Sequence, residues 1–527
     1  MKKLCYSLVV VLIGTALLSV VGLADELVVA LGGDTEGWDP ATEIFYAAGE
    51  IVRNCYDSLI TYEVMPADES PYGVAMLDTS KPTGMLAESW DVSNDGRVYT
   101  FYLRDDAVFA SGNPLTGEDV RWTVERGLNI PGGISWLWNV MGVMSADQVE
   151  VVNDLTVRFN LDQPNSLFLP SLELEVMAIV DSAALKEVAT EEDPYAHDYL
   201  FTRTAGSGPY VVESYSAGSE VVLSAKPGYW GGTPGIDRVV YSIVPSEATR
   251  ILLLKSGDAD VSLFLSPEQV QNQLLNQPGI NVVSIPTPGT EYLALNTTVP
   301  PLNNVLVRKA LAYAVPYDEL LENVMYGFGA RASSPVPALT KWHRDLSPYT
   351  YDPDKAKELL TAAGYPEGIK VTVSYRLDNP VEEAVAIYLK DAFAEAGINL
   401  VIDKVAASRF EVIRGTREYE MALIYWTPYV NDPIYQLNFN YASPSTCCNY
   451  GEYHSDEYDA LIVLANQSTD PVKQEGMVNA LQELIIDDTP ILYLYHPNRI
   501  TCMRDDVTGF VYNSAHFLRY FYMGKPE

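Results

Sequence analysis

Hydrophobic and polar positions along the chain repeat with two different periods, which separate its strands from its helices. Segment 86–92 is apolar-rich and predicts a short strand, and segment 98–103 alternates, with Tyr99, Phe101 and Leu103 on one face, which is typical of a return strand. Segment 116–128 repeats an apolar residue every fourth position, which predicts a helix with one face in a core. Thr116, followed three residues later by Asp119, predicts a capping box at its first turn. The segment therefore reads as a compact αβ unit.

The second half of the chain alternates strand and helix patterns. Asp352-Pro353 predicts the beginning of a helix, and Gly364 its end. Further strands and one more helix follow at 371–375, 382–396, 398–402 and 421–426. The loop TPYVNDPIY comes after the last of these strands. Because strands that alternate with helices pair in parallel, this half predicts a mixed or parallel sheet with helices on its faces.

Length and charge limit the classes of protein to consider. The chain has 527 residues, which is more than the ~250–300 at which one core stops growing, so two or three lobes are expected. Its 70 acidic residues outnumber 34 Lys plus Arg, for a formal charge of −36. Nucleic-acid binding needs a basic surface, so no nucleic-acid partner is expected.

The N-terminus has the order of a secretory signal peptide. Lys2 and Lys3 precede an uncharged apolar run, and Gly22 and Ala24 supply small residues at −3 and −1. We expect cleavage after Ala24 and a periplasmic or otherwise extracytoplasmic protein. The competing interpretation is an uncleaved anchor, because the run is close to the ~20 residues that span a bilayer.

Cysteine and histidine patterns predict disulfide chemistry rather than a metal site or catalysis. Cys55, Cys447, Cys448 and Cys502 follow the leader. Adjacent Cys447 and Cys448 could bridge each other with strain, and pairing of one of them with Cys502 is the less strained expectation. The five histidines lack H-E-x-x-H spacing, and no G-x-S-x-G or P-loop motif occurs. No metal, no cofactor and no enzymatic activity are therefore expected.

Several longer motifs occur in one order along the chain. LAESW, NDGRVYTFYLR and FASGNPLTGEDV lie between Gly84 and Leu128, and YWGGTPGIDRV and YDPDKAKELLTAAGYP come later. In this order and spacing the chain resembles the family-5 extracytoplasmic solute-binding proteins, the peptide, oligosaccharide and nickel-type receptors of bacterial ABC importers. The resemblance implies an α/β, periplasmic-binding-protein-like fold of type II, cluster C-like, with two large lobes joined by a hinge and a third small lobe. The boundaries that we predict are 1–24 for the signal peptide, 25–64 with 201–290 and 490–527 for lobe I, 65–200 for lobe II, and 291–489 for lobe III.

The resemblance also implies a function. The chain is expected to be a monomer that captures a peptide-like solute between two lobes and delivers it to a membrane permease driven by a separate ATPase. An oligosaccharide is the alternative solute, and an exported glycosidase or a sensor is the alternative class of protein.

Candidate ligand-binding residues are mainly aromatic, because rings give large contact area with a polar tip. Trp38 is either a hydrophobic plug or a ligand-facing ring. In similar dipeptide receptors an acid three places after a Trp like Trp426 holds the ligand's α-amino group, and here that place is Tyr429. Asp432 could substitute, but it precedes Pro433 and is also a natural turn residue. The candidates are Trp38, Trp136, Trp138, Tyr292, Trp426, Tyr429 and Asp432.

Overall fold

The computed structural model describes residues 25–33, 37–42, 46–443, 447–513 and 517–526. Strands, numbered in chain order, are β1 Glu26–Leu31, β2 Ile60–Met65, β3 Ala75–Gly84, β4 Ala87–Val92, β5 Val98–Leu103, β6 Val149–Asn153, β7 Thr156–Asn160, β8 Tyr210–Ser216, β9 Glu220–Ala225, β10 Arg238–Ile243, β11 Val261–Leu263, β12 Ile280–Pro286, β13 Thr290–Leu295, β14 Gly329–Arg331, β15 Ile369–Arg376, β16 Ile398–Val405, β17 Met421–Trp426, β18 Ile491–Arg504 and β19 Val511–Tyr512.

Helices are numbered in the same way. They are α1 Tyr46–Cys55, α2 Gly117–Asn129, α3 Ser135–Val140, α4 Phe168–Ser171, α5 Ser182–Val188, α6 His197–Leu200, α7 Glu247–Ser256, α8 Pro267–Gln273, α9 Val305–Ala314, α10 Tyr317–Glu319, α11 Pro353–Ala362, α12 Pro380–Glu395, α13 Ala407–Thr416, α14 Pro433–Tyr441, α15 Asp456–Gln467 and α16 Pro471–Asp488. Short 3₁₀ turns lie at Ala146–Gln148, Glu175–Met177 and Tyr520–Tyr522, and a π-helical turn at Leu320–Val324.

One large sheet runs through the molecule in two halves. The N-terminal half-sheet contains β8, β9, β10, β1 and β11, and the C-terminal half-sheet contains β13, β17, β15 and β16. The long strand β18 joins them: its residues 491–495 pair with β13, and its residues 498–504 pair with β12. Residues 286–290 link β12 to β13 and so form a second crossing between the two half-sheets. Two neighbouring crossings of this kind can bend together, which is the geometry of a hinge.

Parallel strands in both halves confirm the prediction of a mixed sheet. β1 runs parallel to β10 and β11, and β15 runs parallel to β16 and β17. In open sheets of this kind, ligands bind beyond the carboxyl ends of the strands. The loops that follow β11 and β17 are therefore the first places to look for a site.

A separate four-stranded sheet, in the order β4-β5-β7-β6, packs against α2. The alternation predicted for β5 is confirmed, since Tyr99, Phe101 and Leu103 are buried. The predicted capping box is confirmed too, with the backbone N–H and the hydroxyl of Thr116 both donating to Asp119 Oδ2 at 2.8 Å. This unit lies within the segment expected to form lobe II. The lobe boundaries themselves stay a prediction.

Three elements differ from the sequence-based prediction. The sequence of residues 51–60 predicts a helix, but the helix occupies Tyr46–Cys55, because residues 60–65 pair as β2 with β3. The loop expected after β17 ends at Asp432, which caps α14. Thr469 and Pro471 predict the beginning of the last long helix, α16, and the structure places its cap at Asp470. Pairing with a distant strand sets the first of these boundaries, whereas Asp432 and Asp470 are local caps, each followed by a proline at the beginning of its helix.

The cysteine pairing also requires correction. Cys447 and Cys448 form a disulfide with each other, while Cys55 and Cys502 are free and buried. The expected bridge to Cys502 is wrong because Cys502 lies inside β18, between Ser262 of β11 and Val282 of β12. Its side chain belongs to a different apolar cluster from that of Cys448.

Within the described part of the chain, no helix has both the length and the apolar character needed to cross a membrane. The predicted signal peptide at 1–24 lies outside the described residues.

Candidate functional site

A cavity of ≈ 270 Å³ lies between the C-terminal half of the molecule and the segments around β2–β3 and α4. Tyr429 and Asp432 line it from the loop after β17, and Lys341 lines it from the long loop between β14 and α11. Tyr62 and Glu173 contribute from the opposite wall. Two of the predicted candidates therefore reach one cavity between separate parts of the chain.

Asp432 has two structural partners at the edge of this cavity. Its Oδ1 accepts the Ile434 backbone N–H at 2.8 Å and so caps α14. Its Oδ2 lies 2.9 Å from the Lys341 ammonium. Asp432 is buried, so this pairing satisfies a charge that would be costly if left alone. Asp432 therefore has a local structural role, as the cap of α14.

A line of aromatic rings connects the loop after β17 with α3. Trp426 stacks on Tyr435 with ring centroids 6.3 Å apart, and Tyr435 lies 4.5 Å from Phe439. Trp136 of α3 then contacts Phe439 at 5.8 Å and Tyr429 at 5.7 Å. Tyr435 and Phe439 are four residues apart on α14 and so share one face. Three candidates, Trp136, Trp426 and Tyr429, belong to this line, and all three are half-buried.

The other three aromatic candidates lie in the core. Trp38 is 0% exposed and packs edge-on against Tyr215, with centroids 5.1 Å apart. Trp138 is 2% exposed and packs against Gly127, where an added Cβ would come within 2.3 Å of its ring nitrogen. Tyr292 is 2% exposed, and its hydroxyl donates to Asn440 Oδ1 at 3.4 Å. A ligand contact for these residues stays a prediction, whereas their packing role is visible.

A second cavity, of ≈ 280 Å³, lies beside the two crossings. It is lined by Phe264 after β11, by Tyr425 of β17, and by Tyr495 and Arg499 of β18. Glu291 of β13 also lines it and is 5% exposed. Sequence reasoning did not single out Glu291. The available signal was a carboxylate in a strand, TEYLAL, whose other residues are buried.

A buried ionic network joins the loop after β1 to α2 and α6. Arg126 donates to both carboxylate oxygens of Asp39 at 2.5 Å, and His197 Nδ1 lies 2.7 Å from Asp39 Oδ2. Burial raises the pKa of Asp39, but hydrogen bonds from His197 and Arg126 outweigh it and hold that pKa below its ordinary value. The hydrogen bond to Asp39 likewise raises the pKa of His197. The network therefore carries charge at neutral pH and ties these elements together.

No group of three or more His, Cys, Asp or Glu side chains within the described ranges is arranged to hold a metal ion.

The family model for bacterial extracellular solute-binding proteins, family 5 (middle), matches residues 81–446. The chain belongs to this family. Family 5 membership accounts for the motif order between Gly84 and Leu128, and it makes the chain a binding protein of a family whose members are exported.

Named relatives extend the family 5 match over nearly the whole chain. The chain is 30% identical over 495 residues to the "Probable D,D-dipeptide-binding periplasmic protein DdpA" of Escherichia coli (strain K12), with 93% of this chain and 92% of the relative covered. It is 29% identical to the "Dipeptide-binding protein" of the same organism, covering 81% and 83% of the two chains.

Solved structures confirm the fold class of this family 5 protein, that of type II periplasmic binding proteins. The structure titled as the periplasmic binding protein DppA from Helicobacter pylori in complex with the peptide STSA has a TM-score of 0.80 and 26% identity, and covers 96% of this chain and 99% of that chain. HbpA2 from Haemophilus parasuis has a TM-score of 0.81 at 25% identity, and covers 95% of this chain and all (100%) of that chain.

Proposed function

We propose that this chain is the peptide receptor of an ABC importer, which captures its solute in the cleft between the two half-sheets and delivers it to a membrane permease. The observation that carries the proposal is the similarity over 93% of the chain to a relative named for dipeptide binding. The fold it shares with a structure solved with a bound peptide supports the same solute class.

The geometry of the cleft supports capture by closure. The half-sheets are connected through β18 and the 286–290 link, so bending there changes the width of both cavities. In the present conformation Trp136 of α3 already contacts Tyr429 and Phe439 of the C-terminal half. A solute that binds between these surfaces shifts the open–closed balance by its preference for the closed form.

The oligosaccharide alternative has no support from the relatives named above. The line of aromatic rings from Trp426 to Trp136 can stack with many kinds of solute, including the side chains of peptides. The glycosidase and sensor alternatives are likewise without support from these relatives, which are named as binding proteins.

The proposal is tested with the purified chain, refolded to remove co-purified solute, and a pooled di- and tripeptide library. Native mass spectrometry should show one peptide bound per chain, and small-angle scattering should show a smaller radius of gyration with the captured peptide than without it. Cello- and manno-oligosaccharides at equal concentration serve as the comparison. Retention of sugars without peptides would reject the peptide assignment. A bound peptide with an unchanged radius would reject closure.

We further propose that residues 1–24 direct export and are removed after Ala24, which rests on the charged, apolar and small-residue order of the N-terminus. N-terminal sequencing of the exported protein is expected to begin at Asp25. A sequence beginning at Met1 in the membrane fraction would show that the leader is kept as an anchor.

A further inference from the structure

The cavity beside the hinge contains the acidic side chain of Glu291. Glu291 Oε1 is shielded from solvent, and no described residue forms a hydrogen bond with it. The hydroxyl of Tyr495 is also buried without a hydrogen-bond partner among the described residues. Glu291 and Tyr495 are direct neighbours across β13 and β18. Buried polar groups in native proteins normally find partners, so unmatched polar atoms on two neighbouring residues indicate that a partner is missing.

The charged groups around Glu291 do not neutralise it. Burial, followed by the charge of Glu382 at the start of α12, raises the pKa of Glu291 well above its ordinary value. Glu382 Oε2 accepts the Arg376 backbone N–H at 3.2 Å, and burial raises the pKa of Glu382 to about 7. Arg499, which also lines the cavity, lies over the Phe264 ring at 4.0 Å. The end of the cavity at Glu291 is therefore acidic.

The aromatic rings beside Glu291 also favour a cationic ligand. Tyr425 is its direct neighbour across β13 and β17, as Tyr495 is across β18, so one tyrosine flanks the carboxyl on each side. Aromatic faces attract cations, and a carboxylate supplies the opposite charge and a strong hydrogen-bond acceptor. The cavity volume of ≈ 280 Å³ accommodates a side chain or a small amine.

We propose that Glu291 binds a cationic group of the solute, an ammonium or a guanidinium, in the cavity lined by Tyr425 and Tyr495. The solute-class part of this inference rests on the proposed receptor function. In similar dipeptide receptors an acid at the place of Tyr429 holds the ligand's α-amino group. Glu291, rather than Asp432, would supply that negative charge here. Asp432 already caps α14 and pairs with Lys341, whereas Glu291 Oε1 forms no hydrogen bond within the described part of the chain. The cationic group is either a peptide's α-amino group, a basic side chain, or a free amine.

Entry of a cation favours the ionised form of Glu291, so binding should release a proton where the empty site holds one. Affinity for the cation should then rise with pH until the empty site is itself ionised. A residue with a purely structural role produces neither effect. Calorimetry in two buffers of different ionisation enthalpy measures the proton release directly.

The test compares wild type, Glu291→Gln and Glu88→Gln. Glu88 is exposed on β4 and its change removes the same charge at a distance. The probes are the pooled peptide library, the same library with its α-amino groups and lysines acetylated, and a panel of putrescine, agmatine and lysine amide. We expect Glu291→Gln to weaken binding of the captured cation by at least about 30-fold and to abolish proton release, with Glu88→Gln like wild type. Thermal melts of all three proteins should agree within a few degrees, because Gln keeps the shape of the side chain.

The outcomes separate the two proposals. Peptide binding that is equal in wild type and Glu291→Gln overturns this inference and leaves the receptor function intact. Binding of amines but not peptides, lost in Glu291→Gln, upholds the inference and rejects peptides as the solute. Capture of the acetylated library as tightly as the free one overturns the inference, and no binding of any probe overturns both. Acetylation of α-amino groups alone, or of lysines alone, then identifies which cationic group reaches Glu291.

Discussion

Replacing Arg126 by methionine should lower the free energy of unfolding by about 3–5 kcal/mol, because it leaves a buried carboxylate without its main partner. Arg126 and Asp39 are each 1% exposed, and both oxygens of Asp39 receive a hydrogen bond from the guanidinium. His197 remains as a second partner, but its side chain is 40% exposed and its charge depends on pH. The unpaired charge therefore cannot be fully compensated.

The measurement is urea unfolding followed by tryptophan fluorescence, with Arg158→Met as the matched control. Arg158 pairs with Glu150 at 2.9 Å, but both side chains are exposed, so its loss should cost at most about 1 kcal/mol. The double variant Asp39→Asn with Arg126→Met should recover part of the lost free energy of unfolding, because it removes the buried carboxylate together with its partner. Equal, small effects of Arg126→Met and Arg158→Met would show that the network contributes little to stability.

Replacing Trp426 by alanine should weaken solute binding by about 2–4 kcal/mol while lowering stability by less than that. Trp426 is half-buried at the end of β17 and stacks on Tyr435 at the beginning of the ring line. A ring at the open end of a strand loses less packing on truncation than a ring enclosed on all sides. Its principal contribution should therefore appear in the bound state.

Trp138→Ala is the matched control for Trp426→Ala. Trp138 is enclosed, with Gly127 against its indole, so its truncation should cost about 3–5 kcal/mol of stability. Calorimetric titration with the captured peptide and thermal melts of both variants supply the comparison. If Trp426→Ala loses as much stability as Trp138→Ala and binds solute normally, Trp426 is a core residue like Trp138.

Local periodicity was sufficient to predict much of the secondary structure. β17 has the predicted limits, and β5 has its predicted buried face. The beginnings of α2 and α11 follow from capping residues within three positions of the first turn. Motif order over the whole chain was sufficient for the family and the fold class. Residues that are close in the sequence determine both the short-range hydrogen bonds and the spacing of buried side chains on which these features depend.

Long-range pairing determined the features that sequence reasoning missed. β2 forms because β3 lies beside it. Cys502 is excluded from a disulfide by the strands on either side of it.

The candidate site follows the same division. Aromatic composition predicted Trp136, Trp426 and Tyr429, which the fold brings into one line of rings or one cavity. Glu291 looked like one of 70 acidic residues in the sequence. Its significance arises only when β13 pairs with β17 and β18, because those strands place two tyrosines beside it and remove water from its carboxyl. Charge desolvation is a property of the assembled sheet, so the local signal, a carboxylate within the apolar strand TEYLAL, did not distinguish Glu291 before the sheet was known.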